Sequence, residues 1–360
     1  MSTEPDHMFM IYEHEKFWVT MQPFLLHRGY RLRPRYDPNW VPSWRQLAVL
    51  NDAVKLDNGQ KVVLKKVSTD SQEIPLATLL SSKTWKEDPR NCSVPILDVI
   101  MIPGDDAHAL LVMPQLLAFH LLPFRFFGEF SEFALQILQG LEFLHEHNVA
   151  HRDMCWGNIM MDISKVIPKG SHFSRWDSHT GIPFKKFHWK PRWTVQPVQY
   201  YIIDFGISVR CQSKDAKGRG RWGQDRTVPE MSKPEWCDIF MVDIYQLGNV
   251  FKECIEKYKG LDAFSELADA MTKTNPNDRP NAAGSVDICV INTIPNPLDI
   301  ILGAFKLIVE ESRASGLGGP KRKKAFEMRR NGDLDEEEHV RPVGFAMLEC
   351  REVGVKRWAG

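Results

Sequence analysis

The chain has 360 residues, 43% of them hydrophobic, and its 46 basic side chains balance 46 acidic ones. This length suffices for one large two-lobed domain or for two or three smaller domains. A net charge of zero argues against nucleic-acid binders and membrane-surface binders, which usually carry a one-sided excess of charge.

Three features predict a protein that stays inside the cell and away from membranes. The seven cysteines include no CxxC pair, a pattern typical of reduced thiols. Residues 1–17 carry acids where a signal peptide needs a basic region and an apolar run. The apolar stretch from Leu298 to Val309 contains two charges and is too short to span a bilayer. The sequence therefore predicts an intracellular protein, cytoplasmic or nuclear.

The chain begins with an extension and then turns to strands. Residues 1–46 mix aromatic residues with arginine and are expected to form an irregular N-terminal extension. Residues 53–67 contain two strand-like runs that flank Asn58 and Gly59. An Asn-Gly pair between two such runs predicts a β-hairpin.

A short helix and a second strand pair are expected next. Residues 71–82 predict a helix, and Pro75 makes it start late or kink. The apolar runs 94–102 and 108–117 are separated by a turn sequence. They predict another antiparallel pair of strands.

After Gly128 the spacing of apolar residues changes to that of a helix. Ser131 is the expected N-cap of this helix. Two further helices are predicted at 238–258 and 262–274. The apolar stripe of the first helix consists of Phe130, Phe133, Ala134, Ile137, Leu138, Leu141 and Leu144.

A β-rich half followed by a helical half predicts an α+β, bilobal fold with a cleft between the halves. We assign the smaller lobe to residues 47–117 and the larger lobe to residues 118–312. Residues 163–199 lack a clean period and are expected to be an insertion in the larger lobe. Residues 313–360 are expected to be a disordered tail, and their basic cluster at 321–324 fits either a nuclear-import signal or a solvated run of charges.

The strongest motif is the octapeptide HRDMCWGN at residues 151–158. It resembles the HRDxxxxN catalytic loop of protein kinases. Phosphoryl transfer needs a carboxylate that orients the acceptor hydroxyl and accepts its proton, and oxygen ligands for Mg²⁺. The resemblance assigns the first role to Asp153 and the second to Asn158, and it makes His151 and Arg152 structural residues.

A second motif follows the apolar run at residues 200–203. Asp204-Phe205-Gly206 resembles the DFG turn of kinases, whose aspartate chelates the Mg²⁺ that bridges the β- and γ-phosphates. Asp and Gly are also ordinary residues of a turn at a strand end. The order of the two motifs favours the kinase interpretation, with Phe205 and Gly206 as structural residues.

A third candidate is Lys65, at the end of the run VVLK. It resembles the strand lysine of kinases that holds the α- and β-phosphates of ATP. Alternation along the strand places Lys66 on the opposite face, where it is expected to be solvated. Glu73 is the candidate helix partner of Lys65, and the alternative for Glu73 is a plain surface residue.

Three later residues resemble structural parts of the larger kinase lobe. Glu230 ends the sequence VPE, which resembles the APE that closes the activation segment. Asp243 resembles the buried aspartate that braces the catalytic loop, and Arg279 resembles the arginine that pairs with the APE glutamate. A buried Glu230–Arg279 pair is costly to break from one side.

Together these motifs resemble the eukaryotic protein-kinase superfamily over about residues 47–312. The phrases LRPRYDPNWVPSW, LLVMP and GQDRTVPE are similar, more narrowly, to divergent kinase-domain proteins of basidiomycete fungi. The resemblance implies ATP and Mg²⁺ as cofactors. It also implies an adenine site with Met113 as gatekeeper, the Pro114 carbonyl as acceptor and the Leu116 N–H as donor.

The sequence departs from the kinase pattern at the phosphate loop and in the catalytic loop. No glycine lies between Asp37 and Lys55, where kinases have a glycine-rich loop over the phosphates. Cys155 stands where Ser/Thr kinases usually place a lysine. Gly157 before Asn158 resembles the loop of small-molecule phosphotransferases.

Two segments bear on regulation and recognition. The activation segment is short and offers Ser208, Ser213 and Thr227 as phosphorylation sites, with Arg152 as the receiver of a phosphate. The insertion mixes basic residues with Trp and Phe, which also occurs in nucleic-acid binders, but no recognised binding module accompanies it. Its basic residues of interest are Lys185, Lys186, Lys190 and Arg192.

The sequence thus predicts an ATP-dependent protein kinase of the Ser/Thr type, which acts on a protein substrate of unknown identity with Asp153 as the base. Two alternatives stay open. The missing glycine loop favours a pseudokinase that binds nucleotide as a scaffold. Gly157 and Cys155 favour a small-molecule phosphotransferase of the same fold. Neither nucleic acid nor a membrane is an expected partner.

Overall fold

The structure is a computed structural model that describes residues 13–33, 36, 50–182, 186–219, 222–233, 235–293 and 308–309. These residues belong to a compact unit that ends at Glu311. The predicted tail (313–360) and most of the glycine-free stretch (37–49) lie outside the described residues.

The prediction of an α+β fold is confirmed, because strands dominate the N-terminal part and helices the remainder. The helices are α1 (Glu13–His27), α2 (Glu73–Leu80), α3 (Lys83–Lys86), α4 (Phe127–Glu146), α5 (Ile239–Lys257), α6 (Ser265–Met271) and α7 (Ala282–Thr293). The strands are β1 (Tyr30–Leu32), β2 (Leu50–Lys55), β3 (Lys61–Ser68), β4 (Asp98–Ile102), β5 (Asp105–Pro114), β6 (Leu117–Ala118), β7 (Val149–Ala150), β8 (Ile159–Met161), β9 (Tyr200–Ile202), β10 (Val209–Arg210), β11 (Lys217–Gly218), β12 (Cys237–Asp238), β13 (Tyr258–Lys259) and β14 (Ile308–Val309).

The smaller lobe is built on an antiparallel five-stranded sheet with the order β1-β2-β3-β5-β4. The predicted hairpin is present as β2 and β3, and Gly59 in its turn has a φ of 72°, which suits glycine. The second predicted pair is present as β4 and β5. The predicted helix is α2, and Pro75 lies in its first turn, where a missing N–H breaks no helical hydrogen bond.

The expectation of an irregular N-terminal extension over residues 1–46 is wrong for α1 and β1. Trp18 of α1 is fully buried in a cluster with Val62 and Leu64 of β3. Side chains alternate between the two faces of a strand, so Val62 and Leu64 face away from Lys65. Helix α1 therefore covers the outer face of the sheet, and the Lys65 face is left to form the cleft. Burial of one large indole outweighs the irregular composition of the segment.

Lys66 does lie on the opposite face from Lys65, as alternation predicts, but it is not simply solvated. Its ammonium pairs with Asp105 at 3.2 Å and lies 4.5 Å from the ring centroid of Phe17 on α1. The methylene stem of a lysine covers apolar surface while its charge reaches a partner. Helix α1 thus supplies a contact that the strand pattern alone does not show.

Helix α4 starts four residues before Ser131, so the predicted N-cap is wrong. The Ser131 hydroxyl donates instead to the Phe127 carbonyl oxygen at 3.0 Å, inside the helix. Glu129, in the first turn of α4, binds the chain just before the helix, since its Oε2 accepts a hydrogen bond from the Arg125 N–H at 2.6 Å. The rings of Phe127 and Phe264 lie 5.3 Å apart. Tertiary packing therefore extends the helix beyond the start that local capping rules predict.

The larger lobe brings the two candidate motifs to one edge. The predicted helices at 238–258 and 262–274 are present as α5 and α6, the latter after a 3₁₀ turn at Asp262–Phe264. Strands β8 and β9 are antiparallel, and Ile159 pairs with Ile202. The residue before β8 and the residues after β9 are therefore neighbours, which places Asn158 beside the Asp204 turn.

No helix in the described part of the chain is both long and apolar enough to cross a lipid bilayer.

Candidate active site

Hydrogen bonds to a buried residue of α5 hold the loop that carries Asp153. Asp243 is fully buried, and its carboxylate accepts hydrogen bonds from the N–H of His151 at 2.8 Å and of Arg152 at 2.6 Å. The His145 ring lies 3.0 Å from the same carboxylate. Two backbone donors on one buried carboxylate fix the path of the loop. The brace expected from Asp243 is present.

Asp153 and Asn158 form one hydrogen-bonded pair. The Asn158 Nδ2 donates to the Asp153 carbonyl oxygen and to its Oδ2, both at 2.9 Å. Only 8% of Asp153 is exposed. Because both Nδ2 hydrogens are used, the amide oxygen of Asn158 is the atom left to meet a cation.

Lys65 joins the two lobes through two carboxylates. Its Nζ donates to Glu73 of α2 at 2.5 Å and to Asp204 of the larger lobe at 2.8 Å. Burial alone lowers the pKa of Lys65, but the two carboxylates outweigh it and hold that pKa above its ordinary value. The ammonium is therefore charged at neutral pH. The structure brings together three residues that the sequence separates by up to 139 positions.

Asp204 has a left-handed backbone, with φ 66° and ψ 70°. Burial raises the pKa of its carboxyl, but Lys65 more than offsets this, so the pKa lies below its ordinary value. Phe205 is buried and meets the His151 ring edge-on at 5.2 Å. The His151 Nε2 lies 2.9 Å from the Ile203 carbonyl oxygen. His151 thus ties the Asp204 turn to the loop that carries Asp153.

Gly206 lies in a crowded part of this turn. A Cβ there would lie 3.2 Å from the Asp204 Oδ1 and 3.3 Å from the Glu73 Oε2. The Gly206 N–H also donates to the Asp204 Oδ1 at 3.4 Å. A side chain at this position would require the carboxylates that hold Lys65 to shift by a few tenths of an ångström.

The donor set suits a hard cation such as magnesium. Lys65 and the Gly206 N–H both bind the Oδ1 of Asp204, so its Oδ2 is the oxygen that could meet a cation. Magnesium prefers oxygen ligands and keeps several waters or phosphate oxygens. Among the residues described, no three His, Cys, Asp or Glu side chains gather as a metal cluster. These residues fit a site in which the protein supplies two oxygen ligands and phosphate and water supply the others.

The predicted adenine site lies where β5 ends. Met113 pairs with Val63 and Pro114 pairs with Val62 across β5 and β3. Leu116 follows directly and is half-buried. Its contact with adenine stays a prediction.

Sequence reasoning missed three apolar residues that lie on the Lys65 face of the sheet or face out of the core of the larger lobe. Val63 lies on the Lys65 face of β3, and Val54 of β2 points away from the buried Ala53. In the larger lobe, Met160 lies between two buried residues of β8 and so faces out of that core. Strand alternation counted from Lys65, and carried across the β2–β3 hairpin, is the signal that would have found the two valines.

No protein-family model matches this chain. Over 170 residues the chain is 30% identical to mitogen-activated protein kinase kinase kinase A of Dictyostelium discoideum. That match covers 43% of this chain and 16% of the relative, so the chain spans a small part of the relative's length. The match supports a protein-kinase-like family. The fold is bilobal and kinase-like.

The kinase-like activation segment is tied to the larger lobe at its end. Arg279 and Glu230 form a two-pronged ion pair, with N–O distances of 2.6 and 2.8 Å. Arg279 also donates to the carbonyl oxygens of Lys273 and Met241, at 2.7 and 2.9 Å. Both partners of the pair are buried. The pairing expected from the sequence is present, and it is closed by further hydrogen bonds.

Arg152, the expected phosphate receiver of the kinase-like loop, is covered by an indole. Its guanidinium lies 4.1 Å from the ring centroid of Trp222. Of the three candidate phosphosites, Ser208 is buried and donates to the His151 carbonyl oxygen at 3.0 Å. Thr227 donates to Asp225 at 2.7 Å, while Ser213 is exposed. Phosphate binding by Arg152 stays a prediction that would require Trp222 to move.

Cys155 supplies no charge to the loop. Burial, together with the nearby Asp153 carboxylate, raises the pKa of its thiol to about 12. The thiol is therefore neutral at physiological pH. A lysine in this position would carry a positive charge beside Asp153, and this chain lacks that charge.

The insertion 163–199 reaches the smaller lobe beside the predicted adenine site. The Ser171 carbonyl oxygen accepts hydrogen bonds from the Lys61 Nζ at 2.9 Å and from the Gln115 Nε2 at 3.1 Å. The Ser174 hydroxyl accepts a hydrogen bond from Arg33 at 2.9 Å. A segment of the larger lobe is thus bonded to the smaller lobe beside Gln115, close to the point where the chain passes from one lobe to the other. It holds the two lobes together.

One basic residue of the insertion has a structural role. Arg192 is fully buried, and its Nη2 donates to the carbonyl oxygens of Phe119 and Leu122 at 2.5 and 2.9 Å. Its guanidinium lies 4.0 Å from the ring centroid of Phe124. Arg192 therefore cannot contribute to a nucleic-acid surface. Lys186 and Lys190 are exposed, and Lys185 lies outside the described residues.

Gln115→Leu is expected to loosen the insertion because it removes the amide that bonds Ser171 while keeping a similar volume. One lost hydrogen bond costs about 1 kcal/mol. Hydrogen exchange should therefore quicken in residues 169–175 and stay unchanged in α4. Gln60→Leu, at an exposed position of the β2–β3 turn, is the matched control. Equal exchange in both variants would contradict a bridging role for this contact.

Proposed function

We propose that this chain is an ATP- and Mg²⁺-dependent protein kinase of the Ser/Thr type, which transfers the γ-phosphoryl group of ATP to a protein hydroxyl. The observation that carries the proposal is the bridge from Lys65 to Glu73 and Asp204, which joins both lobes beside the Asp153–Asn158 pair. These are the groups that phosphoryl transfer depends on.

Each residue of the site has a role in this proposal. Lys65 holds the α- and β-phosphates, and Glu73 keeps its ammonium in place. Asn158 and Asp204 hold magnesium, which neutralises charge on the phosphates when it is bound. Asp153 orients the acceptor hydroxyl and accepts its proton. Most of the acceleration then comes from positioning and charge neutralisation.

A protein acceptor is favoured over a small molecule by the end of the activation segment. The buried Glu230–Arg279 pair orders a segment beside Asp153 on which a peptide can lie. Two residues favour a small-molecule acceptor instead: Cys155, whose thiol is neutral, and Gly157. The narrower similarity to basidiomycete kinase-domain proteins stays a prediction.

The test is Mg²⁺-dependent ATP turnover with a generic protein substrate, compared between wild type and Asp153→Ala. General base catalysis contributes about 10²–10⁴-fold, so turnover should fall by that factor. Asp162→Ala is the matched control, because Asp162 lies just after β8 and only caps a local turn through Ser164. The control should keep wild-type turnover.

Three outcomes separate the candidate functions. Loss of activity in Asp153→Ala alone supports the kinase proposal. Equal turnover in wild type and Asp153→Ala contradicts the assignment of the base. A wild type that is stabilised by ATP but turns over no acceptor overturns the proposal in favour of a nucleotide-binding pseudokinase.

A further inference from the structure

The backbone of the activation segment touches the candidate base directly. The Gln224 N–H donates to the Asp153 Oδ1 at 2.7 Å. The side-chain Nε2 of Gln224 lies farther away, at 3.4 Å from the Oδ2. The backbone donor is therefore the stronger of the two contacts.

Gly223 is what allows this approach. Its φ is 71°, and a Cβ on it would lie 2.4 Å from the Asp153 Oδ1 and 2.7 Å from the Arg152 carbonyl oxygen. No real side chain tolerates such contacts, and one of these neighbours is backbone. Any other residue at 223 would push the Gln224 N–H away from the carboxylate.

The segment is fixed on both sides of this contact. Trp222 lies over the Arg152 guanidinium, with 4.1 Å between the guanidinium carbon and the ring centroid. On the other side, Asn249 of α5 donates to Asp225 at 2.7 Å and to the Thr227 hydroxyl at 2.8 Å. The Gln224 N–H is thus presented to Asp153 by a prearranged loop.

Two donors on different oxygens determine the orientation of the carboxylate. Asn158 binds the Oδ2 of Asp153, and the Gln224 N–H binds the Oδ1. The terminal torsion of an aspartate has broad minima, so one donor alone leaves the carboxylate free to turn. A misplacement of about 1 Å at a reacting group can cost about 10²-fold in rate.

We propose that Gly223 and the Gln224 N–H are positioning residues that hold the Asp153 carboxylate toward the acceptor hydroxyl. They act through Asp153 and do not touch the reacting atoms. This inference rests on the proposed kinase function. It names the backbone of the activation segment, rather than a side chain, as the second support of the base.

The test compares Gly223→Ala with Gly59→Ala in the full chain. Gly59 has nearly the same φ, 72°, and open space around its Cβ position, so its variant carries the same backbone strain without the contact. We expect kcat of Gly223→Ala to fall about 10²-fold with KM for ATP unchanged, because Lys65 and Asp204 are untouched. Hydrogen exchange of residues 222–225 should quicken in this variant alone.

A second pair of variants covers the case in which Gly223→Ala does not fold. Gln224→Pro replaces the N–H with a ring carbon that would lie against the Asp153 Oδ1 and so displaces this contact without a change at residue 223, whereas Gln224→Ala keeps the N–H and removes only the weaker side-chain contact. We expect the proline variant to lose kcat as above and the alanine variant to stay within a few-fold of wild type.

The results distinguish this inference from the proposed function. An active wild type with full kcat in Gly223→Ala and Gln224→Pro overturns the positioning role alone. A loss in Gln224→Ala as large as that in Gln224→Pro also overturns it, because the side chain would then be the support. If the wild type turns over no acceptor, the proposed kinase function is overturned, and the positioning role falls with it.

Discussion

Asp204→Asn is expected to lower Mg²⁺-dependent ATP turnover by about 10³-fold, because it removes a charged ligand where charge develops in the transition state. The carboxylate lies 2.8 Å from the Lys65 Nζ, and the pairing of β8 with β9 places the Asp204 turn next to Asn158. An amide in its place keeps the shape but offers magnesium a neutral oxygen. The measurement is the steady-state rate as a function of Mg²⁺ concentration.

The fold of this variant should be unaffected. Asn tolerates the left-handed conformation seen at residue 204 and can accept the same hydrogen bond from the Gly206 N–H. Lys65 keeps its 2.5 Å bond to Glu73. We therefore expect a melting temperature close to that of wild type, so a loss of turnover would report on the site itself.

Asp105→Asn is the matched control for this experiment. Asp105 also pairs with a lysine of β3, at 3.2 Å from the Lys66 Nζ, but on the outer face of the sheet. The control should turn over ATP at the wild-type rate. Turnover of Asp204→Asn within a few-fold of wild type would remove Asp204 from the metal site.

Glu230→Ala is expected to destabilise the larger lobe by about 3–5 kcal/mol, which is the usual cost of leaving a buried charge without its partner. Arg279 is buried with its guanidinium held by Glu230 at two points. The remaining carbonyl acceptors, such as Lys273 and Met241, cannot neutralise the positive charge. Thermal unfolding should show a drop of roughly 10 °C for a domain of this size.

Two further variants make this measurement specific. Asp269→Ala removes an exposed partner of Lys252, a 3.0 Å ion pair at the surface, and should cost less than about 1 kcal/mol. Glu230→Leu combined with Arg279→Met removes both buried charges and should recover part of the loss. An unchanged melting temperature in Glu230→Ala would show that the pair does not stabilise this lobe.

The sequence by itself determined the elements that have strong local patterns. The β2–β3 hairpin follows from Asn58 and Gly59 between alternating runs, and α4 follows from its apolar stripe. The motifs around Asp153 and Asp204 have spacing that predicts their roles, and the β8–β9 register brings them to one edge. The hairpin and the helix depend on contacts between residues that are close in the chain, whereas the β8–β9 pairing joins residues 159 and 202, which are 43 positions apart.

Local patterns failed where a distant contact decided the outcome. Helix α1 forms in a segment expected to be irregular, because Trp18 is buried against β3. Ser131 was expected at the helix start, but packing of Phe127 on Phe264 moved that start. In both cases, burial of a large aromatic surface outweighs capping and composition preferences of about 1 kcal/mol.

Only the tertiary structure decided which groups surround the reacting atoms. The Gln224 N–H reaches Asp153 from 71 positions away, and Lys65 reaches Asp204 from 139 positions away. Ser171 of the insertion accepts a hydrogen bond from Gln115, which lies close to the point where the chain passes between the lobes, and no periodicity in the sequence indicates this contact. The sequence predicts the type of chemistry because it contains the donors and acceptors. Their mutual orientation depends on long-range packing, which no short stretch of sequence contains.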